Sequence, residues 1–186
     1  AMHGRCGWAF THGEVLECAA FQVRSTPSEG LGGFATRDIL RGECMLSEPP
    51  LLHWKVARGE AVTHEGIEAL LASHPEVAQR AFWALSQNAS HGTIKHPFGI
   101  WLTNAYPTDG AASAQEAQHP SSSAQPPSSS AQHPSEKSSA VFAHICRLNH
   151  SCSPNLHCSW NAALGAQTVH ALRDIPSGAE LTVSYL

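Results

Sequence analysis

The stretch Arg147-Leu148-Asn149-His150-Ser151-Cys152-Ser153-Pro154-Asn155 constrains this chain more than any other feature. Its Asn, His, Ser and Cys residues form a polar knot between the apolar Ile145 and Leu156, and Pro154 ends any helix there. Twenty-five residues on from Asn155, Glu180-Leu181-Thr182-Val183-Ser184-Tyr185 alternates like a strand and closes on a lone Tyr. A chain carrying both must bring a polar loop and a strand end into an otherwise apolar fold.

Length and composition bound the rest. With 186 residues and 42% hydrophobic content, the chain is long enough for one modest domain with a core. Charged residues make up only 14% and the net charge is −4, so no basic field exists to grip a phosphate backbone. A direct nucleic-acid partner is therefore not expected. No run approaches the ~18 to 20 apolar residues of a membrane span, so no membrane partner is expected either. Ala1-Met2-His3-Gly4-Arg5 is not followed by an apolar stretch of the kind a secretory signal needs. Six Cys are scattered rather than spaced as a disulfide scaffold, which points to reduced thiols inside a cell, in nucleus or cytoplasm.

Residues 109–139 stand apart. Ala117-Gln118-His119-Pro120-Ser121-Ser122-Ser123 is echoed by Ala124-Gln125-Pro126-Pro127-Ser128-Ser129-Ser130 and then by Ala131-Gln132-His133-Pro134-Ser135. No position of this repeat is large and apolar, so it is no coiled-coil heptad and cannot offset its ordering entropy. It reads as a disordered loop inserted into a folded domain.

Around it the local signals are short. Phe21–Ser25 alternates like a strand, and Gly33–Ile39 and Glu43–Leu52 read as strands about a tight Leu40-Arg41-Gly42 turn. Ser73-His74-Pro75-Glu76 has a capping-box pattern, and Val77, Ala81 and Leu85 recur every four residues. A helix is predicted over 74–88, with a shorter one through Ile67, Leu70 and Leu71 before it. Phe98 to Ala105 reads as a strand. Arg173-Asp174-Ile175-Pro176-Ser177-Gly178 echoes Arg37-Asp38-Ile39-Leu40-Arg41-Gly42, as two similar hairpin turns would without a duplicated domain. The expected class is mainly β (α+β): many short strands with a helical insert over about 55–97.

These motifs together resemble the SET-domain protein lysine methyltransferases, over residues 21–52 and 98–186 outside the repeat. Gly30-Leu31-Gly32-Gly33-Phe34-Ala35-Thr36-Arg37-Asp38-Ile39, followed by Gly42-Glu43, is similar to the family's N-terminal motif. The resemblance implies that Gly30, Leu31 and Gly32 line a pocket for S-adenosylmethionine. The family often has Lys or Arg just before the first Gly, where this chain has Glu29. Asn-His-Ser-Cys-x-Pro-Asn is its most specific string, and it implies that Asn149 and His150 contact the cofactor. Asn155 reads better as a satisfier of buried backbone. Glu180-Leu181-Thr182-x-x-Tyr185 is similar to the family's ending on a catalytic tyrosine, although an isolated strand-end Tyr is ordinarily a packing residue.

Asn104 has two readings. Members related to the SET-and-MYND subgroup, fungal ones among them, carry an Asn in a strand before the Asn-His-Ser-Cys motif, where it helps hold the cofactor; the other reading is a turn-former. The implied fold is a SET domain over 21–186 with a C-terminal pseudoknot, preceded by an N-terminal segment 1–20. The implied reaction is methyl transfer to a lysine of a protein substrate, histone or otherwise. Two alternatives stay open: a non-catalytic SET module that binds protein, and a zinc-binding module. His144, Cys146, His150, Cys152, His157 and Cys158 crowd into fifteen residues, yet short Cys-x2-Cys pairs are missing. Cys146 and Cys158 read as small core residues. The resemblance implies zinc at Cys152 only where a Cys-rich post-SET segment follows. The sequence stops at Leu186 without one, and on this reading the chain binds cofactor but methylates weakly.

Overall fold

A computed structural model of the chain describes residues 20–27, 30–56, 61–108 and 137–185. Three small sheets carry the framework. The first has the order β1 (Phe21–Thr26), β2 (Gly30–Ala35), β10 (Glu180–Val183), β7 (Asn149–His150). The second runs β3 (Cys44–Glu48), β9 (Ala166–Ala171), β8 (Leu156–Asn161), and the third β4 (Leu52–Val56), β6 (Lys137–Val141), β5 (Tyr106–Pro107). The fold is mainly β with helices, as the sequence implies.

Strand β2 seats on the core because of a glycine. A Cβ on Gly33 would stand 3.0 Å from Leu148 Cδ2 and 3.2 Å from Phe21 Cδ2. Phe21 and Leu148 are both buried, so this strand lies flat on the core only without a side chain.

The two echoing turns meet. Ile39 and Ile175 exchange backbone hydrogen bonds of 2.9 and 2.8 Å. Asp38 accepts from Ser177 N and Asp174 accepts from Arg41 N, each at 2.8 Å. Gly42 N donates to Ala171 O as Gly178 N donates to Ala35 O, again at 2.8 Å each. Both glycines have positive φ, +81° and +83°, which the turn requires. The sequence echo is thus a reciprocal pair, related by a local two-fold, with β10 beside β2 and β9 beside β3.

Two cores lie on either side of the third sheet. The first holds Phe21, Ile39, Leu46, Phe142, Leu156 and Leu181; the second holds Leu52, Ile67, Phe82, Leu85, Ile100 and Trp101. Along β6, Ala140 faces the first and Val141 the second, the period-two alternation of a strand between layers. Full burial of a side chain such as Phe82 contributes roughly 1.5 to 3 kcal/mol.

The helical segment differs from expectation. Helix α1 (His64–Ala72) is capped by Thr63, whose hydroxyl accepts from Gly66 N at 3.1 Å. Ser73 closes that helix rather than opening the next, its hydroxyl donating to Leu70 O at 2.7 Å. Helix α2 is Glu76–Trp83, shorter than 74–88 and without a side-chain cap, because Pro75 sits at its N-cap in an extended conformation. The segment 98–105, expected as a strand, is helix α3 (Pro97–Asn104). His96 caps it by accepting from Gly99 N at 3.1 Å, and proline occupies its first position. Ile100, Trp101 and Asn104 then share the buried face. Helices therefore extend to Asn104, past the expected limit near 97, while Lys55 and Val56 belong to β4. The repeat lies outside the described residues, except that 137–139 begin β6 instead of a loop.

Candidate functional site

The polar knot is held by groups far away in sequence. Glu48, 2% exposed, accepts from the backbone N–H of Ala143 (2.8 Å), His144 (3.0 Å) and Ile145 (3.0 Å) and from His144 Nδ1 (3.1 Å). One buried carboxylate thereby shapes the turn that leads into Arg147. Beyond it, β7 runs parallel to β10, pairing Asn149 with Thr182 and His150 with Val183. The chain between them loops out through β8 and β9, a crossover that returns it beside β7.

Asn155 locks that crossing. Its Nδ2 donates to Glu180 O and its Oδ1 accepts from Thr182 N, both at 2.8 Å, while its own carbonyl accepts from Leu172 N at 2.9 Å. The backbone-satisfying role expected for Asn155 is what the structure shows.

Asn149 points elsewhere. Its Nδ2 donates to Glu180 Oε1 at 2.9 Å. A Cβ on Gly32 would meet that same Nδ2 at 2.7 Å and Glu180 Oε1 at 2.8 Å. The Asn149 side chain, more than a hundred residues away in sequence, therefore lies against the backbone of Gly32 in the glycine strand. Gly30 has φ +80° with open space around its Cα, and Leu31 is 46% exposed, so this end of β2 is free to approach a ligand.

His150 and Tyr185 adjoin this point. Tyr185 N donates to His150 Nδ1 at 3.1 Å, and the rings lie 5.3 Å apart. Tyr185 Oη donates to Leu148 O at 2.8 Å, although the residue as a whole is 60% exposed. It is no core residue. The structure thus brings Gly32, Asn149, His150 and Tyr185 to one corner formed by β2, β7 and the end of β10.

Asn104 sits differently from its expected strand position. At the end of α3 it is buried, and its Nδ2 donates to Ser86 O (2.8 Å) and Ile100 O (2.7 Å). Both donors serve the helical segment, and its carbonyl accepts from Cys146 Sγ at 3.3 Å. Cys152 is exposed with Sγ 3.4 Å from His150 Nε2. Among the described residues no group of three or more His, Cys, Asp or Glu is placed to hold a metal. Cys146 and Cys158 pack against the core as expected, and burial raises their thiol pKa values, that of Cys158 to about 12.

Several participants escaped the sequence reading. Tyr106, the other of the two tyrosines, packs edge-to-face on Phe142 with centroids 6.0 Å apart. Burial, then the thiols of Cys146 and Cys158 and the Tyr185 phenol, push its hydroxyl well above the usual tyrosine range. Its signal was the aromatic in Asn104-Ala105-Tyr106, just after a residue already singled out. Burial lowers the pKa of the Arg147 guanidinium, and burial with the Arg147 charge lowers that of Lys95. Glu48 carried no local signal, and Glu180 stood only as part of the string that ends on Tyr185, with nothing to show its contact with Asn149.

The family model described as SET domain matches residues 30–186. The chain belongs to the SET domain family. The histone-lysine N-methyltransferase set5 of Schizosaccharomyces pombe is 29% identical over 170 residues, taking in 91% of this chain and 43% of that protein. The SET chain thus spans less than half the length of this curated relative. A Plasmodium falciparum protein, whose crystal structure was described as that of a candidate histone methyltransferase, aligns with a TM-score of 0.45 and 12% identity. That alignment covers 90% of this SET domain chain and 93% of the other.

Proposed function

We propose that the chain transfers a methyl group from S-adenosylmethionine to a lysine side chain of a protein. The observation that carries this reading is the corner where Gly32, Asn149, Glu180, His150 and Tyr185 converge. SET-family membership and the likeness to a histone-lysine methyltransferase support it. A histone is the substrate class that relative suggests, and nucleus or cytoplasm the compartment.

The residues present fit the cofactor. The open end of β2 at Gly30 and Leu31 offers backbone, and Asn149 and His150 offer polar side chains beside it. Bound there, the cofactor would supply an electrophilic methyl on a sulfonium. The protein's task is alignment, which contributes on the order of 7 to 11 kcal/mol when near-attack geometry is held. Tyr185 Oη donates its proton to Leu148 O, and a phenol oxygen that donates can also accept, which suits it to receive an N–H of the substrate amine and aim the nitrogen. It orients and does not deprotonate. The amine must arrive neutral although its free pKa is about 10.4, and apolar surroundings would favour the neutral form.

Asn104 enters this proposal as a support of the helical wall through Ser86 O, and as a cofactor contact on the SET-and-MYND resemblance alone. Zinc at Cys152 belongs to the proposal only with a Cys-rich segment downstream. A protein-binding module that never turns over remains the second reading, because Tyr185 is largely exposed. Tyr185→Phe separates the two. Transfer of labelled methyl to histone lysine should fall at least tenfold, or change in product degree, with cofactor affinity retained. Identical rate and product in the variant would remove Tyr185 from the chemistry.

A further inference from the structure

Asn149 and Glu180 form a pair that the proposed reaction does not by itself require. We propose that Glu180 is a positioning residue: it turns the Asn149 amide so that the nitrogen faces inward and Oδ1 is offered to a cationic N–H donor of the cofactor. The inference rests on the cofactor reading above and deepens it.

An ionised carboxylate only accepts hydrogen bonds, so the 2.9 Å contact between Asn149 and Glu180 Oε1 must be made by Nδ2. That fixes which way the amide faces, a choice that is otherwise free for an Asn side chain. With Nδ2 committed, Oδ1 is left without a hydrogen bond among the described residues and is not sealed from solvent. It is an acceptor waiting for a donor.

Three strands enforce the arrangement. Glu180 starts β10 opposite Phe34 of β2, and Thr182 of the same strand pairs with Asn149 of β7. Beside them Gly32 leaves space: a Cβ there would collide with Asn149 Nδ2 at 2.7 Å, Glu180 Oε1 at 2.8 Å and Thr26 Cγ2 at 2.9 Å. The glycine motif thus has a second use beyond approach to a ligand, since it makes room for this pair. Glu180 also adds a negative charge beside Oδ1, which favours an ammonium donor over a neutral one. The amino-acid portion of S-adenosylmethionine carries such a group.

Calorimetric titration with S-adenosylhomocysteine, with melting curves alongside, tests this. Glu180→Ala should weaken binding roughly tenfold, the scale of one charge-assisted hydrogen bond, with little change in melting temperature. Glu180→Gln retains an acceptor oxygen and should bind within about threefold of wild type. The double variant Asn149→Ala/Glu180→Ala should bind no worse than Asn149→Ala alone, because the glutamate acts through the asparagine. If Glu180→Ala fails to fold, a swapped pair decides. Asn149→Asp alone should lose binding through carboxylate repulsion, and Asn149→Asp/Glu180→Gln should regain it by reversing donor and acceptor. Wild-type affinity in Glu180→Ala, additive losses in the double variant, or no recovery in the swapped pair would overturn the inference alone. No binding by the wild-type chain would remove the cofactor reading and this inference together.

Discussion

The paired turns of the β framework and the helical segment both close off chain ends, by opposite means. In the framework, Asp38 and Asp174 reach across 139 and 133 residues of sequence to cap each other's turns. Glu48 likewise binds backbone 95 to 97 residues away. In the helical segment the caps are local: Thr63 serves Gly66, Ser73 serves Leu70 and His96 serves Gly99, each three residues off. The difference matters for function. The corner that holds Asn149, His150 and Tyr185 is positioned by the long-range bonds, so it cannot form until distant parts of the chain have met. The helices carry their caps within their own segment, and their buried faces complete the second core against Leu52 and Val141.

The largest test removes the long-range anchor. Glu48→Ala would leave three buried backbone N–H groups and His144 Nδ1 without their acceptor, a loss of about 3 to 5 kcal/mol. Urea denaturation should register it, together with loss of cofactor binding. A small shift in midpoint would mean that the knot is held by other groups.

Asp38→Ala and Asp174→Ala sharpen the comparison. Each removes one bond to an exposed turn, so each should cost about 1 kcal/mol, and the two costs should match. Unequal costs would show that the local two-fold is geometric only. Deleting residues 112–134 should have the smallest effect. Thr108 N already bonds Ser138 O at 2.9 Å, so the ends a shorter loop must join are adjacent. Closure entropy changes by only ~0.6 kcal/mol per doubling of length, and melting temperature should hold or rise slightly. A fall would give the repeat a structural part.

The same contrast explains what the sequence reveals. Asn149, His150 and Tyr185 are legible because their strings are residue-specific, and the β-rich class is legible from alternation and turn glycines. The segment 98–105 misleads because Phe98, Ile100 and Leu102 alternate as a strand would. The helix there is announced by a His cap, outside the usual Ser, Thr, Asp and Asn set. Ser73 misleads because a hydroxyl near two helices can end one or begin the other. Glu48 is silent for a different reason, and Glu180 is visible only as part of the string that ends on Tyr185. Their partners lie far off in sequence, and only the folded chain brings them together.

Asn149, packed against Gly32 and bonded to Glu180, is the residue proposed to hold S-adenosylmethionine. Calorimetric titration of the wild-type chain and of Asn149→Ala with S-adenosylhomocysteine tests it most directly, with circular dichroism to establish that the variant is folded. The wild type should show saturable one-to-one binding and the folded variant at least a tenfold loss, the scale of one hydrogen-bonded contact withdrawn from a polar ligand. Equal affinity in both, or no binding by the folded wild type, would contradict it.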